Sequence, residues 1–342
     1  MTESTDRPML TAPTRRPAGR GLWAWIVPLP PPERRRPAQV LQWFAFRVLL
    51  AFGGLCVLIA AFQRSLIYHP FQVAALPAAE AALPSGSVHD VTLESNVGTL
   101  HGWHTLPQGE RAETRAEIDE RLAAAGFVVL YFSGNAAHRG YRSEEMRLLG
   151  RAGAHTFLFD YRGYAENPGS PSEWGINEDA HAAWKYLTQE RGIPAAKIVL
   201  CGESLGGGVA TRLAGELCAA GTPPGGLILR STFSSLIDAA GYHFPWLPVR
   251  LLLIDRFRSD HWITQVTCPI LSIHGALDAI VPMRLGQKLF SLAPAASSSG
   301  VAKRFVELPQ TDHNDVLGTA FGRVELSVTE FFESIEAASQ RE

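Results

Sequence analysis

Residues 197–207, KIVLCGESLGG, decide the fold of this chain. The run KIVLC is short, apolar and continuous, which is typical of a β-strand buried on both faces, and a helical pattern begins at Leu205. Between the two stands Ser204, with Gly202 two residues before it and Gly206 two residues after it. A sharp turn from strand to helix needs small residues at both positions, because larger side chains would collide. The stretch predicts a turn that presents the Ser204 hydroxyl; the alternative is a glycine-rich turn with an incidental serine.

Similar apolar runs recur along the chain. An opening antiparallel pair is predicted at residues 88–94 and 99–105. Further buried strands are predicted at residues 127–132, 155–160, 197–201, 226–229, 269–273 and 304–308. Helices are predicted at residues 110–125, 142–152, 173–191, 205–220, 284–292 and 316–338. This alternation predicts an α/β fold, with a mostly parallel central sheet covered by helices on both faces.

Two residues that can activate a serine follow strands later in the chain. A serine hydroxyl is a poor nucleophile, so it needs a base and an acid that orients the base. Asp278 comes just after the predicted strand 269–273, and His313 comes just after the predicted strand 304–308. In open α/β sheets, sites lie at the carboxyl ends of strands. We therefore expect Ser204 as nucleophile, Asp278 as acid and His313 as base.

Neighbouring residues offer rival assignments. His274 is a second candidate base, but its place at the end of a strand, in the turn before Asp278, favours a packing role. Asp312 and Asp315 are rival acids, and their adjacency to His313 favours a role in shaping the loop that carries it.

Two backbone N–H groups are candidates for stabilising negative charge on a substrate oxygen. Leu205 offers its N–H at a helix N-terminus, where the helix dipole favours negative charge. The second donor is expected from the loop after the strand 127–132, where Gly134 permits an unusual backbone turn before Asn135. We expect Asn135 and Leu205 to form an oxyanion hole; taken alone, the loop is equally typical of a polar connection.

The composition excludes several classes of protein. The chain has 342 residues, of which 46% are hydrophobic and 19% are charged, enough to bury a full core. A net charge of −2 does not indicate nucleic-acid binding, and four cysteines without a CxxC pair predict neither a disulfide scaffold nor a thiolate metal site. P-loop, GxGxxG and HExxH motifs are absent from the sequence. We expect no cofactor, no metal and no nucleic-acid partner, and the sequence does not indicate an oligomeric state.

An uncharged apolar run at residues 48–62 lies between Arg47 and Arg64. The run is short for a bilayer core of ~30 Å, but the flanking arginines can extend outward, so residues 40–67 are predicted to form a single transmembrane helix. A buried helix and a cleaved signal peptide ending near Ile59-Ala60-Ala61 are the alternatives. The long segment before the run favours an anchor that is not cleaved.

The segments on either side of the anchor differ in charge. Residues 1–39 are rich in Pro and Arg, which predicts an unfolded basic tail. Residues 1–47 hold eight arginines against three acidic residues, and short arginine-rich flanks stay on the cytoplasmic side. We expect a cytoplasmic tail at 1–39, an anchor at 40–67 and a catalytic domain at 68–342 that is extracytoplasmic, or periplasmic in a bacterium.

Together these features resemble the α/β-hydrolase superfamily, in particular its N-terminally membrane-anchored serine hydrolases with a serine-aminopeptidase-type domain. The resemblance runs from about Phe62 to the C-terminus. It rests on QRSLIYHP (63–70), SGNA (133–136), DYRGYAENPGSPSE (160–173), GESLGG (202–207), HGALDAIVP (274–282) and DHND (312–315). It implies the α/β-hydrolase fold with a short cap segment, the triad Ser204, Asp278 and His313, and Asn135 with Leu205 as oxyanion donors.

The chain departs from the family pattern at two positions. Ser133 stands where the family usually has a histidine, which is expected to retune the oxyanion site because the donated group is a backbone N–H. Ala165 replaces a usual glycine and is expected to shift its loop. Asp160, Arg162 and Asp179 also belong to the resemblance, and we expect them to brace a loop through a carboxylate–guanidinium pair.

Residues 231–268 bear on the substrate. They form either a lid over an acyl pocket or a helix packed on the sheet, and packing is favoured because apolar stripes are usually core. We expect a membrane-anchored serine hydrolase that cleaves a carboxylic ester or thioester of a lipid-like substrate through an acyl-enzyme. A serine peptidase on the same triad and a non-catalytic binding protein on the same fold are the alternatives.

Overall fold

The computed structural model describes residues 37–341, so the tail predicted at 1–39 lies outside the described residues except for its last three positions. The described residues fall into two compact units, one as far as Leu58 and one that begins at Ile59. The second unit contains the central sheet and every residue assigned to the candidate site.

The central sheet has eight strands. They are β1 (Val88–Ser95), β2 (Gly98–Thr105), β3 (Val128–Phe132), β4 (His155–Phe159), β5 (Ile198–Glu203), β6 (Gly226–Arg230), β7 (Ile270–Gly275) and β8 (Arg304–Leu308). Their order across the sheet is β8-β7-β6-β5-β3-β4-β2-β1. β2 pairs antiparallel with both β1 and β4, and the other pairings are parallel. The predicted α/β fold with a mostly parallel sheet is confirmed.

Helices connect the strands and cover the sheet. They are α1 (Pro37–Ile67), α2 (Arg115–Ala123), α3 (Ser143–Arg151), α4 (Glu173–Lys185), α5 (Leu205–Ala219), α6 (Leu236–His243), α7 (Val249–Leu252), α8 (Ser259–Trp262), α9 (Met283–Leu292) and α10 (Val316–Ser339). Short turns of 3₁₀-helix occur at Ala78–Glu80, Arg139–Arg142, Ala195–Lys197 and Ile263–Gln265, and a π-helical turn at Tyr186–Glu190 extends α4.

Helix α2 is shorter than the charged stretch 110–125 predicted. It starts after Thr114, whose side chain accepts a hydrogen bond from the Glu117 N–H while the Glu117 carboxylate accepts from the Thr114 N–H. This capping box stabilises a helix start at Arg115, so the residues before it stay in a loop.

The central strands of the sheet are buried on both faces, which explains their continuous apolar runs. All five residues of β3 are buried, and its side chains alternate between two cores. Leu130 packs in the core with Ile176 and Val209, whereas Val129 packs in the opposite core with Leu158 and Phe331. A strand with helices on both sides cannot show the apolar–polar alternation of a half-exposed strand.

Helix α1 contains a 28-residue segment, Val40–Ile67, in which an 18-residue stretch has a mean hydropathy of 2.3 and is only 6% buried. By length and composition it can cross a membrane, which is consistent with the predicted anchor.

Residues 231–268 form three short helices, α6, α7 and α8, joined by loops. The favoured expectation of a helix packed on the sheet is wrong for α6 and α7, because this part of the chain lines the cavity beside Ser204 and leaves Phe244 and Leu251 exposed. The segment is rich in Pro and aromatic residues around Pro245 and Pro248, which interrupt a continuous helix. We refer to residues 236–254 as the cap.

Candidate active site

Ser204 lies in the turn between β5 and α5 with φ +52° and ψ −115°, a strained conformation for a residue with a side chain. A Cβ added at Gly202 would lie 2.3 Å from the Gly206 carbonyl oxygen, and one added at Gly206 would lie 2.1 Å from the Phe132 carbonyl oxygen. Both positions therefore require glycine, for the steric reason that the sequence spacing indicated.

The structure brings Ser204, His313 and Asp278 together. His313 Nε2 lies 3.1 Å from Ser204 Oγ, and His313 Nδ1 lies 2.7 Å from Asp278 Oδ2. A carboxylate only accepts hydrogen bonds, so Nδ1 carries the imidazole proton and Nε2 is free to accept from the serine hydroxyl. The three side chains follow β5, β7 and β8 at the carboxyl edge of the sheet. This geometry allows a serine to be activated by a neighbouring base.

The Asp278 carboxylate is held by more groups than the sequence predicts. Its Oδ1 accepts hydrogen bonds from the N–H groups of Ile280 and Val281, at 3.0 and 2.7 Å. His274, which the sequence assigned to packing, is buried and places its Nε2 3.2 Å from Asp278 Oδ2. Burial raises the pKa of Asp278, but the hydrogen bonds from His274 and His313 outweigh it and lower the pKa to about 2. The carboxylate is therefore ionised throughout the neutral range.

The rival acids shape the loop of His313, as expected. Asp312 Oδ1 accepts from the N–H of His313 at 2.6 Å and from that of Ala279 at 3.3 Å. Asp315 Oδ1 in turn accepts from the Asp312 N–H at 2.6 Å. Within the described residues, the hydrogen bonds of the His313 ring go to Asp278 and Ser204 and to neither rival.

Asn135 and Leu205 line the same cavity as Ser204. The Asn135 side chain donates to the Ile67 carbonyl at 2.8 Å, and the Asn135 carbonyl accepts from the Tyr164 hydroxyl at 2.8 Å. The side chain and carbonyl are thus occupied, and among the described residues nothing accepts from the Asn135 N–H. Leu205 is the first residue of α5, whose N–H has no acceptor within the helix. Both N–H groups are available to a ligand oxygen.

Ser204 opens onto an apolar cavity of about 350 Å³. Such a volume is within the ~300–1,000 Å³ of typical small-ligand pockets. The cavity walls are almost entirely aliphatic and aromatic, and they come from the cap and from the C-terminal turns of α1. Groups of His, Cys, Asp and Glu side chains that could hold a metal ion are not found among residues 37–341.

Known families and proteins resemble this chain. A family model described as the alpha/beta hydrolase fold matches residues 128–253. An uncharacterized Mycobacterium tuberculosis protein is 39% identical over 269 residues, which cover 78% of this chain and 86% of that protein. The chain belongs to the α/β-hydrolase family. It is a hydrolase of that type.

Two further similarities are one in sequence and one in fold. The zebrafish (Danio rerio) lysophosphatidylserine lipase ABHD12 is 35% identical over 230 residues, which cover 61% of this chain and 60% of the lipase. Among solved structures, the Pyrococcus furiosus esterase Pf2001 superposes with a TM-score of 0.56 at 16% identity, over 78% of this chain and 98% of the esterase, which shows the shared fold. Relatives that are lipases support an ester hydrolase.

The two departures from the α/β-hydrolase pattern have visible consequences. Ser133 Oγ is buried and has no hydrogen-bond partner among the described residues, while its carbonyl accepts from the Tyr161 hydroxyl at 2.9 Å. Ala165 adopts φ +49°, in the left-handed region that favours glycine. Its N–H donates to the Phe71 carbonyl and its carbonyl accepts from the Val73 N–H, both at 3.1 Å, and these bonds hold the strained residue in place.

A partly buried ionic cluster next to Ser204 escapes sequence analysis. Glu203, the residue before Ser204, accepts from the Tyr131 hydroxyl at 2.8 Å and lies 2.9 Å from Arg142 Nε and 3.0 Å from Arg230 Nη2. Burial raises the pKa of Glu203, but the two guanidinium groups hold it well below its usual range. The partners come from three separate elements, so no local spacing could have indicated them. The cluster fixes the end of β5.

The brace predicted among Asp160, Arg162 and Asp179 is present with different pairings. Arg162 Nη2 lies 2.7 Å from Asp179 Oδ1, as expected of a carboxylate–guanidinium pair. Asp160 instead pairs with the buried Arg139, 2.5 Å from its Nη1. Arg139 also binds Glu166 at 2.6 Å, so ion pairs of both Arg162 and Arg139 hold the loop after β4.

Proposed function

We propose that this protein is a serine hydrolase that cleaves a carboxylic ester or thioester of a lipid-like substrate through an acyl-enzyme. The observation that carries the proposal is the Ser204–His313–Asp278 chain of contacts, at 3.1 and 2.7 Å, facing an apolar cavity. Ser204 is the proposed nucleophile, His313 the base, Asp278 the acid, and Asn135 and Leu205 the oxyanion donors.

The proposed reaction has two steps. Ser204 Oγ attacks the carbonyl carbon of the substrate, and its proton passes to His313 Nε2 while Asp278 stabilises the imidazolium. The N–H groups of Asn135 and Leu205 stabilise the tetrahedral oxyanion. As the carbon–oxygen or carbon–sulfur bond breaks, His313 returns the proton to the leaving alcohol or thiol. Water then attacks the acyl carbon while the same imidazole takes its proton, the bond from the acyl carbon to Ser204 Oγ breaks, and His313 returns the proton to Oγ as the acid leaves.

The cavity and the relatives favour a substrate with a single acyl chain. An aliphatic and aromatic lining accommodates hydrocarbon and offers few partners to a peptide backbone. The related zebrafish lipase acts, by its name, on lysophosphatidylserine, a lipid class with one acyl chain. We therefore propose a monoacyl lipid ester as the substrate class, with a serine peptidase and a non-catalytic binding protein as the alternatives that the test below separates.

The test labels the full chain with a fluorophosphonate and then assays ester, thioester and peptide substrates. Wild type should be labelled, and Ser204→Ala should lose the label and about 10⁶-fold in kcat, the loss seen when a triad serine is removed. Labelling that persists in Ser204→Ala would move the nucleophile elsewhere. An unlabelled and inactive wild type would favour the binding protein, and hydrolysis of peptides in preference to esters would favour the peptidase.

We further propose that α1 anchors the protein in a membrane, with the tail 1–39 in the cytoplasm and the catalytic domain 68–342 outside it. The length and hydropathy of Val40–Ile67 support the anchor, and the eight arginines in residues 1–47 support the orientation. A C-terminal alkaline phosphatase fusion expressed in bacteria should be active, and a C-terminal green fluorescent protein fusion should be dark. The opposite pair of results would reverse the orientation, and a soluble form that begins near Phe62 would show that the segment is cleaved.

A further inference from the structure

The last turns of α1 form one wall of the cavity beside Ser204. Ile59, Ala60, Gln63, Leu66 and Ile67 all line it, and their spacing places them on a single face of the helix. These residues belong to the same compact unit as Ser204, which begins at Ile59. The helix that carries the candidate membrane span therefore ends inside the hydrolase unit.

The cap forms another part of the cavity wall. Leu236, Ala240, Phe244 and Leu252 line the cavity from α6, from the loop after it and from α7. The two walls are apolar, and Ser204 lies on the lining between them. An acyl chain attached to Ser204 can lie in this cavity, because apolar walls favour hydrocarbon over water.

Buried hydrogen bonds fasten the two walls together. The Gln63 side chain, 4% exposed, accepts from the Ile254 N–H at 2.7 Å and donates to the Leu252 carbonyl at 3.2 Å. One residue further along the helix, Arg64 Nε lies 3.1 Å from Asp255 Oδ2. Because Gln63 meets two backbone groups of the cap, the position of the cap depends on the end of α1.

Tyr68, just beyond the helix, completes the attachment. Its hydroxyl donates to Asp255 Oδ2 at 3.0 Å in a fully buried setting. Burial, and then the Asp255 carboxylate, raise the pKa of Tyr68 far above its usual range, so the hydroxyl keeps the proton that it donates. The buried Asp255 carboxylate has two donors, the charged Arg64 and the neutral Tyr68. Removing it from these donors would leave a buried charge unpaired, so the contact holds the end of α1 in place.

We propose that residues 59–67 are part of the acyl-chain binding site, so that the end of the membrane helix selects the length of the acyl chain. The inference rests on the proposed ester hydrolase function and adds the location of the chain-binding site. Ala60 is the position where selection is easiest to change, because it is the smallest side chain on the lining face of the helix. A larger residue there removes space where a long acyl chain would lie.

The test compares Ala60→Trp with Ala61→Trp, the same substitution one residue further on. Ala61 is exposed and lies off the lining face of the helix, so it provides a matched control for bulk, hydrophobicity and helix propensity. The full chain is assayed in detergent micelles on the acetyl and palmitoyl esters of p-nitrophenol, and fluorophosphonate labelling verifies that each variant is folded.

Ala60→Trp should lower the palmitoyl-to-acetyl ratio of kcat/KM by at least about tenfold, since a pocket that loses room for one or more methylenes discriminates by ~10–200-fold. Ala61→Trp should leave the ratio within about twofold of wild type. The smaller Ala60→Leu should give an intermediate ratio, which keeps the test informative if the tryptophan variant does not fold. An unchanged ratio in a labelled Ala60→Trp or Ala60→Leu would overturn this inference alone. A wild type that hydrolyses neither ester would overturn the proposed function and this inference with it.

Discussion

Two regions meet at Ser204 and are built in different ways. On one side, the proposed nucleophile, base and acid each follow a strand of one sheet, so the hydrogen-bonded register of β5 to β8 sets their distances. On the other side, the apolar walls come from the end of α1 and from the cap, which are about 190 residues apart in sequence and are joined by the Gln63 and Asp255 contacts. The proposed reaction and the proposed choice of substrate therefore depend on separate parts of the fold.

The largest effect should come from the polar side. Asp278→Asn should lower kcat by about 10⁴-fold, because the amide no longer holds the His313 proton on Nδ1 or stabilises the imidazolium. The loss should be equal for acetyl and palmitoyl esters, since the substitution does not touch the apolar walls. Steady-state kinetics on both esters measure it, and a changed palmitoyl-to-acetyl ratio would contradict the separation of the two regions.

Asp312→Asn is the matched control for that substitution. Asp312 accepts N–H groups through Oδ1, and an asparagine oxygen can replace it, so we expect kcat within about tenfold of wild type. If Asp312→Asn were the more damaging of the two, Asp312 would replace Asp278 as the acid.

A smaller effect is expected on the stability of the fold in acid. Measuring it shows whether activity lost in acid is due to unfolding or to the triad. His155 begins β4 at the sheet edge opposite the catalytic residues, and its Nδ1 lies 3.0 Å from His104 Nε2. Burial, and then Arg121, lower the pKa of His155 to about 4, and burial holds the pKa of His104 well below its usual range. Between pH 6.5 and 4 the unfolded chain therefore binds protons that the folded chain does not. The contribution of the neutral His155 imidazole to the free energy of unfolding is complete above pH 6.5, and it decreases as the pH falls towards 4.

At pH 5 this contribution from His155 is about 2 kcal/mol smaller than at pH 7. The thermal midpoint of wild type in micelles should fall by about 4 °C or more over that interval, and His155→Gln should reduce the fall. Activity should also decline on acidification in both proteins, because a protonated imidazole cannot accept the Ser204 proton. If activity and the thermal midpoint fell over the same pH range in both proteins, the loss of activity in acid would be due to unfolding and not to the triad.

The smallest predicted effect belongs to the apolar side. Phe244 lines the cavity but is about half exposed, so Phe244→Ala removes only part of a buried aromatic contact. The palmitoyl-to-acetyl ratio of kcat/KM should fall roughly three- to tenfold. Leu251→Ala, at an 84% exposed cap residue off the lining, should leave the ratio unchanged. Equal effects of the two substitutions would mean that the cap acts as a whole and not through its lining.

The same division explains how much the sequence reveals. Continuous apolar runs mark strands buried on both faces, and the residues that follow them are local in sequence, so Ser204, Asp278 and His313 were predicted as candidates that the fold brings together. The contact of His274 with Asp278 and the Glu203 cluster were not predicted, because their geometry depends on packing between elements. The expectation that the cap packs on the sheet fails for a similar reason, because an apolar segment has the same composition whether it covers a sheet or a cavity.

The length of α1 has to provide both the proposed membrane span and the cavity-lining residues 59–67. The candidate span Val40–Ile67 has 28 residues, which at ~1.5 Å per residue is about 42 Å, more than a ~30 Å hydrocarbon core requires. Once residues 59–67 are assigned to the hydrolase unit, the 19 residues 40–58 remain, about 28 Å of helix. Nineteen residues fall within the range of about 17–25 that a membrane-spanning helix needs, so the helix has the length for the proposed span as well as for the cavity wall. A residue inserted before position 59 changes the reach of the span by ~1.5 Å, whereas one inserted among the lining residues turns the face beyond it by roughly 100° away from the cavity.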